Sequence, residues 1–350
     1  MRPFPEAVTA AATEAAARLG VQSVTVELAG LRVALEFIGT ALQPWLLPAL
    51  PVVDGPADAR IVLWDGAESG VPLPPRPWSE AVFTLRGDAP ADCLPPGWRA
   101  AFRPWAAELS LLDPAGEVGH FHTQDAARLR SDYAGAPLLV LAGWLAPRAG
   151  WRLAHAAAVG RHGDGVLLAG AGGSGKSTSA LSCLAAGWDY LGDDYCRVRA
   201  TPEPAAARLF RSAKIDAAHL AWTGLLAELP QVQPRHPEAK AVLLPAEGPT
   251  APQLRESLRL CALVAPKIDP GAELPRLEPL SPAAALRALA PSTLCQLAGA
   301  DHAHFAELTR LAQQLPCHRL WLGRRVERIP ALLDTLLNPR ALSSNPLVVG

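Results

Sequence analysis

The chain has 350 residues, half of them hydrophobic and 19% charged, with a net charge of −1. That length has room for about two domains, and so small a charge gives no electrostatic footprint for nucleic acid or an anionic membrane. No apolar run approaches the ~20 residues of a membrane span, no secretory signal opens the chain, and six cysteines without a C-x-x-C pair read as reduced thiols of a cytoplasmic protein.

Residues 5–19 predict an Ala-rich helix, and 24–28 and 31–37 two strands joined by the Ala29-Gly30 turn. Helical character over 42–50, a strand at 59–64 and a Pro-rich loop at 72–77 follow. Segments 107–112 and 117–122 read as a hairpin whose His120 and His122 share one strand face. With no third ligand at a metal-site spacing, these two, like His302 and His304, are expected to be structural. A helix over 136–145 leads to Pro147-Arg148-Ala149-Gly150, the expected boundary between an N-terminal α/β domain (1–147) and a nucleotide-binding domain (148–350).

The second part opens with a strand over 151–159 that carries His155, then turns into the strand 165–169. A helix over 177–186 stops at Gly187, and a strand at 188–191 ends in Gly192-Asp193-Asp194, with 195–199 continuing it. A helix over 217–227, a Pro-rich stretch over 230–237, and strands at 241–244 and 258–264 come next. Helices at 282–289 and 304–314, a strand at 317–322 and a helix at 326–337 complete the pattern.

Between the strand at 165–169 and the helix at 177–186 lies Gly170-Ala171-Gly172-Gly173-Ser174-Gly175-Lys176-Ser177, a phosphate-binding loop in its proper setting. Backbone amides of Gly170, Gly172, Gly173, Ser174 and Gly175 would surround a polyphosphate at the helix N-terminus. Lys176 would reach the β- and γ-phosphates and the Ser177 hydroxyl Mg²⁺, with Thr178 beside it in the first turn. The helix carries the chain roughly 16 Å away at ~1.5 Å per residue, and a strand of about five residues at ~3.3 Å each brings it back. Asp193 and Asp194 should therefore return to the phosphates, one to hold Mg²⁺ and the other to take the proton of an attacking hydroxyl. Only four of the 32 basic residues are lysines, and Lys214 and Lys240 follow the loop as candidate phosphate contacts. Arg197, Arg199 and Arg211 are the nearby candidates for stabilising the transferring group.

His155 lies 21 residues before Lys176 and Asp193 lies 17 after it. In that order and spacing the stretch resembles the catalytic core of HPr kinase/phosphorylase, whose fold is related to phosphoenolpyruvate carboxykinase. The nearer resemblance is to HPr-kinase-like serine kinases found with peptide-modification genes, including lasso-peptide kinases. It implies an α/β chain with a C-terminal P-loop domain and a mixed sheet; the smaller N-terminal α/β domain carries no assignable motif and is a candidate for substrate recognition. Asp193 would be the general base, Asp194 a metal-linked carboxylate and His155 their orienting partner, with Lys176 on the phosphates and ATP and Mg²⁺ as nucleotide and metal. No Glu-Ile-Arg-Gly-type signature follows between Tyr195 and Pro245. That departure turns the expectation away from HPr and from phosphorolysis, toward a Ser hydroxyl of a peptide or protein. A nucleotide-binding regulatory module and a kinase of a sugar or free amino acid are the alternatives. A homo-oligomer is compatible with the resemblance, and neither nucleic acid nor membrane is an expected partner.

Overall fold

A computed structural model describes residues 2–79, 86–104, 107–215, 228–232 and 240–337. They divide into two units, Met1–Gly150 with Cys295–Ala300, and Trp151–Leu294 with Asp301–Gly350. The helix expected over 217–227 and most of the Pro-rich stretch over 230–237 lie outside the described residues.

In the first unit, helix α1 (Phe4–Leu19) buries Phe4, Val8, Ala12 and Ala15 along one stripe, as an amphipathic helix does. Strands β1 (Val21–Leu28) and β2 (Leu31–Ile38) pair antiparallel. The turn between them holds Ala29 and Gly30 at φ of 58° and 91°, the left-handed pair that a two-residue hairpin requires. The helical character over 42–50 contracts to α2 (Gln43–Leu46), since Pro48 has no amide to extend it. Then come β3 (Ala59–Asp65), α3 (Gly66–Ser69), β4 (Arg99–Arg103), β5 (Glu108–Leu112), β6 (Val118–Thr123) and α4 (Leu139–Leu145). The helix expected from 136 starts three residues late because Leu138 takes a left-handed φ of 54°. The strands form one mixed sheet in the order β1-β2-β3-β6-β5-β4. His120 and His122 are buried on β6 beside Trp64, with ring centroids 6.4 and 4.8 Å away. Burial lowers both to about 4, so they are neutral core residues. The segment Cys295–Ala300 belongs here too: Ala298 O accepts from the Trp144 indole at 3.0 Å, and Asp88 accepts from the Gly299 amide at 2.6 Å.

The second unit runs β7 (Arg152–Ala154), β8 (Ala156–Arg161), β9 (Asp164–Ala169), α5 (Lys176–Ala185), β10 (Asp189–Gly192), β11 (Cys196–Arg199), β12 (Ala205–Arg208) and β13 (Ala213–Ile215). It continues with β14 (Gln231–Val232), β15 (Ala241–Leu243), β16 (Ser257–Ile268), β17 (Arg276–Pro279), α6 (Pro282–Leu294), α7 (His302–Gln314), β18 (Cys317–Leu322) and α8 (Ile329–Leu337). Nine strands make a mixed sheet ordered β10-β8-β9-β16-β12-β11-β7, with β18 on β16 and β17 on β18. β16 is parallel to β9 and β18. A smaller sheet is ordered β13-β15-β14.

Successive strand residues point to opposite faces, and the core divides accordingly. Ala157, Val159, Val166 and Leu168 pack with Leu181 and Leu184 of α5 and with Leu332 and Leu333 of α8. Ala156, Ala158, Leu167 and Ala169 pack with Leu289 of α6 and with Leu308 and Leu311 of α7. Each buried leucine contributes about 2 kcal/mol by area, and those of the first group fix α5 against the sheet. Its end is set by Gly187 at φ 79°, with the Trp188 amide on Cys183 O and the Gly187 amide on Leu184 O.

Two strand expectations are corrected. The strand over 151–159 is broken at His155: β7 pairs with β11, whereas β8 pairs with β9 and β10. Residues 196–199 do not continue β10 either, for β11 pairs with β7 and β12 on another part of the sheet. Both breaks occur where the chain changes ladder partner. Residues 326–328 form a 3-10 turn ahead of α8. His304 is buried with its Nε2 2.6 Å from Leu153 O, a structural histidine as expected.

Candidate active site

The sheet brings three chain ends to one place. β8 runs antiparallel to both β9 and β10, so its start lies beside their carboxyl ends. Ala156 at the head of β8 is paired with Ala169, the last residue of β9, so His155 stands level with Gly170. β10 ends at Gly192, and Asp193 and Asp194 follow at that same end. Ligand sites of α/β sheets form at such carboxyl ends.

The loop from Gly170 to Gly175 bridges β9 and α5. Gly173 and Gly175 have φ of 76° and 101°. A Cβ at Gly172 or Gly173 would meet nothing within 4 Å, so the loop faces open space there. A Cβ at Gly175 would lie 2.0 Å from Leu322 Cδ1, so a side chain there would enter the core at the end of β18. Lys176 is buried and its Nζ donates to Gly170 O at 2.7 Å and Ala171 O at 3.2 Å, across the mouth of the loop. Burial lowers its ammonium below the ordinary lysine value against the opposing pull of Asp194, and Lys240 adds to the lowering. Among the described residues the buried Ser174 hydroxyl has no hydrogen-bond partner. Open space over the glycines, a lysine resting on loop carbonyls and a buried hydroxyl with no partner among the described residues all fit a polyphosphate.

Asp193 is 2% exposed. Its carboxylate accepts from the Lys214 amide, at 3.1 Å to Oδ1 and 3.3 Å to Oδ2, and from the Tyr190 hydroxyl at 3.1 Å. The Ser177 hydroxyl also donates to it. Burial, with the neighbouring Asp194 charge, pushes the Asp193 carboxyl above its ordinary value in spite of these donors. Asp194 accepts from Lys214 Nζ at 2.8 Å and lies 3.1 Å from His155 Nε2. Burial acts to raise its carboxyl too, but Lys214 and His155 outweigh it and hold Asp194 well below the carboxylate range. Adjacent acids pushed in opposite directions are the pattern of a base beside a permanently ionised partner.

His155 is itself held from behind. Its amide donates to Thr293 Oγ1 of α6 at 3.0 Å, that hydroxyl donates to Leu289 O at 2.9 Å, and its ring stacks on Tyr195 with centroids 5.1 Å apart. Arg197 and Arg199 lie over the Trp151 ring at 5.6 and 4.6 Å, and Arg197 Nε donates to Arg208 O.

The structure thus gathers His155, the loop, Lys176, Ser177, Asp193, Asp194 and Lys214. Ser177, expected beside the metal-linked acid, has Asp193 as its partner, and Lys214, expected on phosphate, has Asp194. Tyr190, Tyr195 and Thr293 carry no motif. Thr293 is 138 residues from His155, and only the packing of α6 on the sheet places it. Among the described residues no group of three or more His, Cys, Asp or Glu forms a ready-made metal cluster. The oxygen donors of Ser177, Asp193 and Asp194 nonetheless suit a hard cation that keeps several waters, as Mg²⁺ does beside phosphates.

No protein-family model matches the chain, and no curated protein matches it. Among solved structures it is similar to the HPr(Ser) kinase/phosphatase of Coxiella burnetii, at 11% identity and a TM-score of 0.28, over 55% of this chain and 97% of that one. A superposition at that level assigns neither fold nor function. No helix among the described residues is long and apolar enough to cross a membrane.

Proposed function

We propose that the second unit is an ATP-dependent kinase that transfers the γ-phosphoryl group to a hydroxyl, that of a Ser in a peptide or protein. The observation that carries this reading is the pair of adjacent carboxylates beside a phosphate loop, one buried and raised, the other ionised by its partners. Phosphoryl transfer is mostly positioning and charge stabilisation, with one proton to remove. The acceptor oxygen bonds to the γ-phosphorus, the bond from phosphorus to the β–γ bridging oxygen breaks, and that electron pair leaves with ADP. Asp193 accepts the hydroxyl proton, and its raised proton affinity favours that transfer. Ser177 and Asp194 would hold Mg²⁺, which neutralises charge on the phosphates when bound. His155 fixes the direction of Asp194, and the glycine amides with Lys176 orient the phosphates.

The test is transfer of labelled γ-phosphate to Ser-containing peptides encoded beside the gene, with the site located by mass spectrometry. Asp193→Asn should bind ATP and lose transfer by ~10²–10⁴. Lys176→Ala should lose nucleotide turnover altogether. ATP binding with no transfer to any peptide, protein or small hydroxyl compound would refute the kinase reading in favour of a nucleotide-responsive regulator.

A further inference from the structure

We propose that Lys214 is an exchangeable counter-charge. Its ammonium pairs with Asp194 while the nucleotide site is empty and transfers to the phosphoryl oxygens once Asp194 serves a metal ion. The inference rests on the kinase reading and assigns the cation for which Arg197, Arg199 and Arg211 are the sequence candidates.

Four observations lead there. Strand β13 buries Ala213 and Ile215 in the core, so the alternate position, Lys214, faces the acids. Lys214 holds the two acids by separate parts of itself: its backbone amide serves both oxygens of Asp193, and its Nζ serves Asp194. The side chain can therefore leave Asp194 without releasing Asp193. Arg197 and Arg199 are engaged on Trp151. Finally, Lys176 Nζ rests on the Gly170 and Ala171 carbonyls of the loop, so Lys214 is the lysine whose ammonium stands on Asp194.

A lysine suits exchange better than an arginine. Its charge is compact and turns on a flexible stem, whereas guanidinium grips a carboxylate with two parallel bonds. A second cation on Asp194 repels the first, so metal binding and the Lys214–Asp194 pair compete for one carboxylate.

The experiment titrates Mg²⁺ against binding of a fluorescent ATP analogue, with transfer measured in parallel, for wild type, Lys214→Met and Lys214→Arg. Lys214→Met removes the competitor, so half-saturating Mg²⁺ should fall several-fold while transfer drops by ~10² or more. Lys214→Arg holds Asp194 harder, so half-saturating Mg²⁺ should rise several-fold, with transfer again reduced. Opposite movements of the Mg²⁺ requirement are not expected of a lysine that only props up the fold. If Lys214→Met melts below the assay temperature, the rise in Lys214→Arg carries the test alone. Mg²⁺ requirements that are unchanged, or that shift the same way in both folded variants, overturn the proposal and leave the kinase reading intact. A wild-type protein that binds no analogue overturns both.

Discussion

Asp193→Asn and Asp194→Asn are expected to move stability in opposite directions at pH 7, although the two residues are neighbours. Asp194 is held below the ordinary carboxylate value of ~3.9, so its contribution is complete above that pH and fades as pH falls toward its depressed value. Its substitution leaves Lys214 and His155, with side chains 14% and 8% exposed, without their carboxylate. A charge-assisted bond of this kind is worth ~1.5–3 kcal/mol, and the 27% exposure of Asp194 places the loss near ~2 kcal/mol. For a unit of this size that is a fall in Tm of about 4–8 °C. Asp193 is raised, so its ionisation costs stability as pH climbs from ~3.9 through its folded value, and the cost is complete above it. Asn keeps an oxygen for the Lys214 amide and removes that cost. Calorimetric scans at pH 7 should therefore show Asp193→Asn melting above wild type and Asp194→Asn below it. Near pH 4 the gain in Asp193→Asn should shrink. Equal falls in Tm for both variants at pH 7 would refute the division of charge described above.

Gly175→Ala should cost ~2–4 kcal/mol, because φ of 101° and a Cβ 2.0 Å from buried Leu322 combine strain with overpacking. Denaturant unfolding measures that loss, and an ATP-analogue titration should show binding abolished; wild-type affinity would mean the loop tolerates a side chain. Thr293→Val keeps the shape of a fully buried side chain but strands the His155 amide, at ~1–3 kcal/mol. It should lower transfer without touching a group that meets the nucleotide, and kinetics indistinguishable from wild type would separate Thr293 from the site.

The local pieces of the site were legible in the sequence. The loop follows a strand of β9 and starts α5, and the return strand β10 ends at the two acids, because glycine content, apolar runs and helix stops are local signals. The scarcity of lysine also singled out Lys214, though not its partner. Strands β4 and β12 went unread, since short Ala- and Arg-bearing segments have no apolar alternation to announce them, and β13 because three residues are too few to show one. The break at His155 was equally silent: Leu153 to Val159 reads as one run, and only the change of ladder from β11 to β9 and β10 divides it. The direction in which each carboxyl is pushed comes from tertiary packing. Sequence makes Asp193 and Asp194 chemically identical neighbours. Burial and the Asp194 charge raise one against its hydrogen-bond donors, while Lys214 Nζ and a histidine anchored by α6 lower the other. Those partners come from distant parts of the chain, and a carboxylate's proton affinity depends on what stands within a few ångströms, not on what precedes it in sequence.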